Sequence, residues 1–236
     1  MRVVKETVDN LEAAGYDVVE VNSPDMGDVL YYYVGMMLAE ENQKLYKDLS
    51  SDVYDSCNHG LVLAVTLYKL PWILKKLVIN PLLGLLTRVP PIEKLFTSTL
   101  EFGQAARERD ELVRSYLTFL HSAGVDVIIC PGQQLPAPQT GRLGTMMAGI
   151  SPYIAWNVMN FPAGIATVST WTSADTVEME NYPRDDILYK MIRDCCEGAE
   201  GMPLSVQVVG KPFKDEQVLR VLSNIEQILK KKKESD

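Results

Sequence analysis

Two short apolar segments constrain the fold of this chain more than any other feature. They are Asn157–Thr170, NVMNFPAGIATVST, and Gly201–Gly210, GMPLSVQVVG, and about thirty residues separate them. Each holds a run of β-branched and small residues entered through a turn with glycine or proline, which is typical of a buried strand. Strands that are apolar throughout need cover on both faces of their sheet. The sequence therefore predicts a sheet enclosed between two layers of helices.

A pattern that occurs twice supports this alternation of helix and strand. L-x-x-A-G-x-D-V stands at Leu11–Val18 and again at Leu120–Val127. Each copy predicts a helix that ends at glycine and leads into a strand, at Val18–Val21 and at Val125–Cys130. The first helix has Val3, Val4, Val8 and Leu11 at helical spacing.

The remaining patterns complete an α/β layer fold with a mixed sheet covered by helices on both faces. Further strands are predicted at Ala163–Thr170 and Pro203–Val209. Helical periodicity predicts five more helices, at Asp28–Leu49, Ile92–Ser122, Ser151–Val158, Asp185–Cys196 and Lys214–Lys232.

Charge and cysteine usage exclude several classes of function. The 236 residues carry a net charge of −8, which argues against nucleic acid as a general partner. The four cysteines fit no zinc spacing, and they are expected to be reduced thiols in a protein that faces the cytosol. Two scattered histidines do not supply a metal site, so neither a metal nor a cofactor is expected.

The stretch from Ser56 to Ile92 is apolar and contains no acidic residue, but it holds three lysines and one arginine. Pro71 and Pro81 interrupt it, so no run approaches the roughly 18–20 residues of a spanning helix. One interpretation is an amphipathic helix lying in a membrane surface, with tryptophan and lysine at the interface. The other is a core-packed helical hairpin whose lysine stems reach out to solvent.

No complete catalytic constellation is visible in the residues themselves. The chain has no G-x-S-x-G nucleophile elbow, no phosphate-binding P-loop and no G-x-G-x-x-G. The Pro/Gly-rich stretch Pro131–Gly144 follows the carboxyl end of a predicted strand, where open α/β sheets bind ligands. It is equally well interpreted as a surface loop.

Several segments, in their order along the chain, resemble the amidase-signature family and its fatty-acid amide hydrolase branch. They are LEAAGYDVVEV, LYKLPWILKKLVINPLLGLL, LHSAGVDVIICPGQQLPAP, NVMNFPAGIATVST and GMPLSVQVVG. The FPAG and GMPLSVQ motifs resemble the family, and the Leu-Pro-Trp block resembles the branch. The likeness implies that residues 1–236 are the carboxyl-terminal part of a single, incomplete amidase domain.

The resemblance also implies a Ser-Ser-Lys triad, in which a neutral lysine activates a serine nucleophile through a bridging serine. The family carries these residues in a Gly/Ser-rich signature upstream of the part matched here, and no such run occurs in this sequence. The chain is expected to begin inside a helix that comes after the catalytic core. No catalytic residue is therefore assigned, and the chain is expected to be inactive alone.

Substrate handling is the role that the resemblance assigns to this chain. Residues 60–86 would form a helical hairpin that caps the domain and docks on a membrane. Apolar side chains before the FPAG strand and in the helix after it would line an acyl channel, or else pack in the core. The cap residues are Leu70, Trp72, Ile73, Leu74, Lys75, Lys76 and Leu77, and the channel residues are Met147, Ile150, Ile154 and Leu188.

The leading hypothesis is the carboxyl-terminal portion of an enzyme that hydrolyses long-chain fatty-acid amides to a fatty acid and an amine. Its expected partners are a membrane surface, the amide substrate and a second copy, since relatives form homodimers. It is expected to be bound peripherally to the cytosolic face of an internal membrane, such as the endoplasmic reticulum. No transmembrane helix is expected in this chain. The alternatives are a non-catalytic truncated form that binds lipid or a full-length relative, and a small α/β enzyme with an unrecognised site.

Overall fold

The computed structural model describes residues 1–24, 29, 32–33, 71–74, 77, 99–133, 135–139, 151–183, 185 and 187–235. The strands among them are β1 (Val127–Pro131), β2 (Ala163–Thr170) and β3 (Pro203–Gly210). The helices are α1 (Arg2–Ala13), the short α2 (Trp72–Leu74), α3 (Thr99–Ser122), α4 (Ser151–Met159), α5 (Ser173–Glu180), α6 (Ile187–Cys196) and α7 (Asp215–Ser235).

The three strands form one sheet in the order β1-β3-β2, and both pairs are antiparallel. The sequence predicts a mixed sheet, but no parallel pair occurs among the described strands. Strand β3 lies in the centre, which explains its near-continuous apolar run, because it is covered on both faces. The predicted strands at Ala163–Thr170 and Pro203–Val209 are confirmed to within one residue.

One face of the sheet is covered by α1 and α7 and is mostly aliphatic. Val206 and Val208 point into it from β3, and Leu11 and Ile225 meet them from the two helices. Helix α1 turns its buried Val3, Thr7 and Leu11 inward at a spacing of four residues, as the predicted helical periodicity requires. Gly164 on β2 lies so close to α7 that a Cβ atom there would require the end of the Leu222 side chain to move.

The opposite face is covered by α3 and α4 and is rich in aromatic side chains. Tyr116 and Leu120 from α3 pack with Trp156 from α4, and Val209 meets them from β3. Because side chains alternate along a strand, neighbouring residues of β3 serve the two different cores. The predicted cover on both faces is found for the central strand β3, whereas Ala163, Ile165 and Thr167 of β2 are exposed.

The repeated pattern gives two helix ends of the same geometry. Gly15 and Gly124 adopt positive φ angles of 92° and 66°, which glycine permits without steric strain. The amide after each glycine donates to the carbonyl of the repeat's first leucine, Tyr16 to Leu11 at 3.1 Å and Val125 to Leu120 at 3.2 Å. Both predicted helix ends are thus confirmed.

The two helix ends lead into different structures, and one predicted strand is wrong. The second copy leads into β1, but Val18–Val21 pairs with no described strand. Val18 packs against the aliphatic core while Val19 and Glu20 face solvent. The segment is therefore held by a side chain rather than by a ladder of backbone hydrogen bonds.

Helix α5 is absent from the sequence prediction, although a capping box starts it. The Thr172 side chain accepts from the Asp175 amide, and the Asp175 carboxylate accepts from the Thr172 amide. Arg2 joins this cap to α1 with two hydrogen bonds to the Asp175 carboxylate, at 2.9 and 2.7 Å. A third donor of Arg2 reaches the Thr170 carbonyl at 2.8 Å.

Candidate functional site

Helix α4 and the turn after it carry the one predicted channel residue whose side chain the structure describes. Ile154 is 1% exposed and belongs to the aromatic core. The helix ends at Asn160, whose φ of 57° suits asparagine, and Phe161 donates to the Trp156 carbonyl at 3.0 Å. This turn sends the chain directly into β2, so the α4 side chains lie beside the sheet.

Aromatic rings fill the space between α4 and α3. Tyr116 makes edge contacts with Phe119 and Trp156, each with ring centroids 5.6 Å apart, and with Phe161 at 6.1 Å. Trp156 and Phe161 stack at 6.2 Å. Edge-to-face rings hold one another in fixed orientations. The wall that α4 presents is therefore apolar and rigid.

Three polar groups are embedded in this apolar wall. The Cys130 thiol on β1 donates weakly to Gln207 Oε1 on β3 at 3.9 Å, and Gln207 is buried. The Trp156 indole N–H is buried and has no hydrogen-bond partner of normal geometry among the described residues, although it lies close enough to the Cys130 sulfur to act on the pKa of that thiol in the lowering direction. An unpaired buried N–H is unfavourable. It is a donor that a bound polar group could satisfy.

The thiols of this part of the molecule are poorly suited to nucleophilic attack. Burial raises the pKa of the Cys130 thiol to about 11, against the smaller opposite effect of the Trp156 indole. Burial likewise raises the pKa of Cys196 to about 11, and neighbouring Cys195 adds to the increase. Since the thiolate is the reactive form, the sulfurs of Cys130 and Cys196 remain protonated at neutral pH. None of the three described cysteines is in a disulfide.

Arg109 of α3 lies at the carboxyl end of α4. Its Nη1 is 3.5 Å from the Val158 carbonyl, and its Nη2 contacts Asp110 Oδ1 at 2.7 Å. A cation at this position interacts favourably with the negative, carboxyl-terminal end of the helix dipole. Its Nε is buried and has no partner among the described residues. The guanidinium therefore positions α4 against α3.

The other predicted channel residues cannot be placed beside Ile154. Met147 and Ile150 lie outside the described residues, and Leu188 is described only as part of the α6 backbone. The predicted channel stays a prediction. Sequence reasoning overlooked Trp156, Cys130 and Gln207, although Gln207 is the single polar residue of the run V-Q-V-V and could have drawn attention.

The predicted membrane cap is described at only a few positions. Ile73, Leu74 and Leu77 are exposed, Leu77 at 70%. Trp72 is described only as helix backbone, and Leu70, Lys75 and Lys76 lie outside the described residues. Within the described ranges, no helix is both long and apolar enough to cross a membrane.

The described part of the chain offers no metal site. No group of three or more His, Cys, Asp or Glu side chains there could hold an ion. A void of about 10 Å³ lies between α1 and α7, beside Thr7 and Ile228, and has room for about one water molecule. The buried polar groups of the aromatic face, Cys130, Gln207 and Trp156, are our candidate for a binding function.

The sequence of this chain is similar to those of known amidases. The family model described as Amidase matches residues 1–219. A protein named fatty acid amide hydrolase 1 from Caenorhabditis elegans is 28% identical over 232 residues, covering 95% of this chain and 39% of that protein. Its namesake from Sus scrofa is 28% identical over 240 residues, covering 97% of this chain and 40% of that protein.

A solved structure of a fatty acid amide hydrolase has a similar fold. It superposes with a TM-score of 0.65 at 20% sequence identity, over 97% of this chain and 36% of that chain. At this identity the likeness concerns the fold alone. The chain spans about two-fifths of the length of the curated relatives that it matches.

Proposed function

This chain belongs to the amidase family, and we propose that it is the carboxyl-terminal portion of an enzyme that hydrolyses long-chain fatty-acid amides to a fatty acid and an amine. The observation that carries the proposal is the match to two relatives named fatty acid amide hydrolase over at least 95% of the chain. In this proposal the chain supplies structure around the substrate, and the catalytic serines and lysine come from the remainder of the enzyme.

The aromatic face would form part of the acyl-channel wall. Its rigid apolar side chains suit an alkyl chain, and the Trp156 N–H offers a donor for the substrate's polar end. Ile154 fits the wall because it is apolar and packed among these rings. The other proposed wall residues are Met147, Ile150 and Leu188.

Residues 60–86 would dock the enzyme on a membrane. Exposed Ile73, Leu74 and Leu77 favour this role over packing in the core, because apolar side chains gain free energy when a lipid surface removes them from water. Lys75 and Lys76 would contact anionic headgroups. The enzyme would then lie on the cytosolic face of an internal membrane, with the endoplasmic reticulum as the first candidate.

Flotation with liposomes tests the membrane role. We expect the chain to float with vesicles that contain phosphatidylserine, and we expect the double change Lys75→Glu/Lys76→Glu to weaken binding at least about tenfold through charge repulsion. The double change Lys231→Glu/Lys232→Glu near the end of α7 is the matched control and should leave binding unchanged. Equal binding of the first variant and the parent would contradict the cap.

Sequencing the transcript upstream of the Met1 codon tests the enzymatic proposal. We expect an open reading frame that continues upstream and encodes a Gly/Ser-rich signature of the amidase kind. A stop codon in frame directly upstream, with no such signature, would favour the alternative. That alternative is a non-catalytic form that binds lipid or a full-length relative, and the exposed apolar residues of the cap region support it equally.

A further inference from the structure

The chain leaves the sheet at the end of β2 and returns to it at the start of β3, and the residues between these strands form an arm. The arm, residues 172–200, consists of α5, α6 and their connections. At its base, Trp171 N–H donates to the Met202 carbonyl at 2.8 Å, and Gly201 N–H donates to the Trp171 carbonyl at 2.9 Å. These two bonds continue the β2–β3 pairing, so both ends of the arm are held at the sheet.

Beyond its base, the arm packs differently from the other helices. None of the eight residues of α5 is buried. Helices α1, α3, α4 and α7 each contribute side chains to one of the two hydrophobic cores, whereas neither core, among the described residues, includes a side chain of α5 or α6. The two halves of the arm instead meet each other through the rings of Tyr182 and Tyr189, in edge contact at 5.5 Å. Elements with few buried apolar contacts open locally at a lower free-energy cost than a core does.

The return from α6 to the sheet has a backbone suited to a hinge. Gly198 and Gly201 adopt positive φ angles of 71° and 82°. Glycine changes its backbone angles with little steric hindrance, and hinge motions are absorbed by a few such loop positions. Because Gly198 lies between α6 and the paired base, the arm can move there while the base stays bonded.

Arg2 of α1 connects the arm to the rest of the domain. Its Nε and Nη2 donate to the two carboxylate oxygens of Asp175 on α5, at 2.9 and 2.7 Å. The same guanidinium donates to Ser169 Oγ at 3.1 Å and to the Thr170 carbonyl at 2.8 Å, both at the end of β2. A bidentate contact between charged groups is stronger and more directional than a neutral hydrogen bond. Arg2 therefore holds the start of the arm against α1 and β2.

The arm carries two adjacent thiols that are shielded in this conformation. Cys195 and Cys196 at the end of α6 are 4% and 7% exposed. Burial raises the pKa of Cys196 to about 11, so the closed arm keeps this thiol protonated as well as covered. Opening of the arm would bring both thiols into water, where they would react as ordinary cysteines.

We propose that the arm opens as a unit while the sheet stays folded, and that the contact between Arg2 and Asp175 keeps it closed. This contact then controls whether alkylating electrophiles reach Cys195 and Cys196. The proposal rests on how the arm is attached to the sheet and to α1, and it does not depend on the enzymatic assignment.

Alkylation of the purified chain with iodoacetamide, followed by peptide mapping by mass spectrometry, tests the closing contact. Arg2→Leu removes the contact and should accelerate alkylation of Cys195 and Cys196 at least about fivefold, because the open state becomes more populated. Lys5→Leu is the matched control, since Lys5 is an exposed cation on the same helix. It should leave the rate unchanged.

Cys130 provides an internal control, since it lies on β1 within the sheet. In Arg2→Leu, its thiol should be alkylated at the rate of the parent chain, because opening of the arm leaves the sheet folded. A general loss of stability would instead accelerate alkylation of Cys130, Cys195 and Cys196 alike.

Hydrogen exchange in the parent chain tests the opening even if Arg2→Leu fails to fold. The helical amides of α5 and α6 should exchange together as one cooperative unit. They should exchange at least about tenfold faster than the amides of Val206 and Val208, which lie in the centre of the sheet on β3.

Four results would overturn the proposal. Arg2→Leu could alkylate no faster than the parent, or Lys5→Leu could accelerate alkylation as much as Arg2→Leu does. The third result is equal acceleration of all three thiols, which would mean that the whole domain loosens. The fourth is protection of the α5 and α6 amides equal to that of β3, which would make the arm part of the core.

Discussion

The two faces of the sheet are built from different side chains and serve the molecule differently. The face under α1 and α7 is aliphatic, and β2 and α7 approach so closely there that a Cβ atom on Gly164 would displace the end of the Leu222 side chain. The face under α3 and α4 is aromatic, and it encloses Trp156, Cys130 and Gln207 with poor hydrogen bonding. The first face holds the domain together, whereas the second tolerates unfavourable polar burial, which is common where a ligand binds.

A large effect is expected from truncating a side chain on the aliphatic face. Ile225 is 2% exposed, and Ile225→Ala should lower the free energy of unfolding by about 2–5 kcal/mol, because it leaves a cavity in a packed core. Denaturant-induced unfolding of the parent and the variant, followed by circular dichroism, measures the difference in unfolding free energy.

The matched truncation on the aromatic face is Ile154→Ala, since Ile154 is 1% exposed and of the same residue type. We expect a comparable loss there, about 2–5 kcal/mol, because Ile154 is fully buried among the aromatic side chains. A loss well below that of Ile225→Ala would show that the aromatic face is packed more loosely than the aliphatic face.

A smaller effect is expected when the unpaired indole is removed. Trp156→Phe loses ring volume but also removes a buried N–H without a described partner, and the two contributions oppose each other. The net change in unfolding free energy should stay within about 1 kcal/mol, in contrast to Trp156→Ala, which should lose about 3–5 kcal/mol. A loss near that of alanine would show that the indole N–H has a stabilising partner.

An effect that depends on pH is expected from the ion pair between Arg2 and Asp175. The Arg2 guanidinium, together with the Thr172 amide and hydroxyl, lowers the pKa of Asp175 to about 2. A lowered carboxyl pKa stabilises the fold above the unfolded value near 3.8, and the contribution disappears as the pH falls towards 2. Because the pair is partly exposed, we expect about 1–2 kcal/mol at neutral pH.

Asp175→Asn provides the control for this pH dependence. The difference in unfolding free energy between parent and variant should be constant from pH 7 to about 5 and should shrink below pH 4. A difference that persists unchanged at pH 2.5 would mean that charge is not its source.

The sequence predicted local features well and long-range features poorly. β2 and β3 follow from their β-branched runs, and the ends of α1 and α3 follow from Gly15 and Gly124. The antiparallel pairing could not be predicted, since it depends on residues far apart in the chain. The strand at Val18–Val21 failed because β propensity does not supply a partner for pairing.

The candidate site was predicted less completely than the fold. Ile154 was named from its position before the FPAG motif, but Trp156, two residues later in the same helix, was not. Its indole N–H becomes a candidate binding group only because β1 and β3 place Cys130 and Gln207 on the same face of the sheet. Such convergence comes from three elements of the fold, and spacing along the sequence does not encode it.

Hydrolysis by the purified chain tests the central claim most directly, namely that this polypeptide supplies structure around the substrate and not the chemistry. The chain would be incubated with oleamide and phospholipid vesicles, and released oleic acid would be measured by mass spectrometry, with the full-length pig enzyme as the positive control. We predict no fatty acid above the rate without protein, and no labelling by a fluorophosphonate probe of serine nucleophiles. Turnover of oleamide with labelling of a serine in this chain would contradict the account.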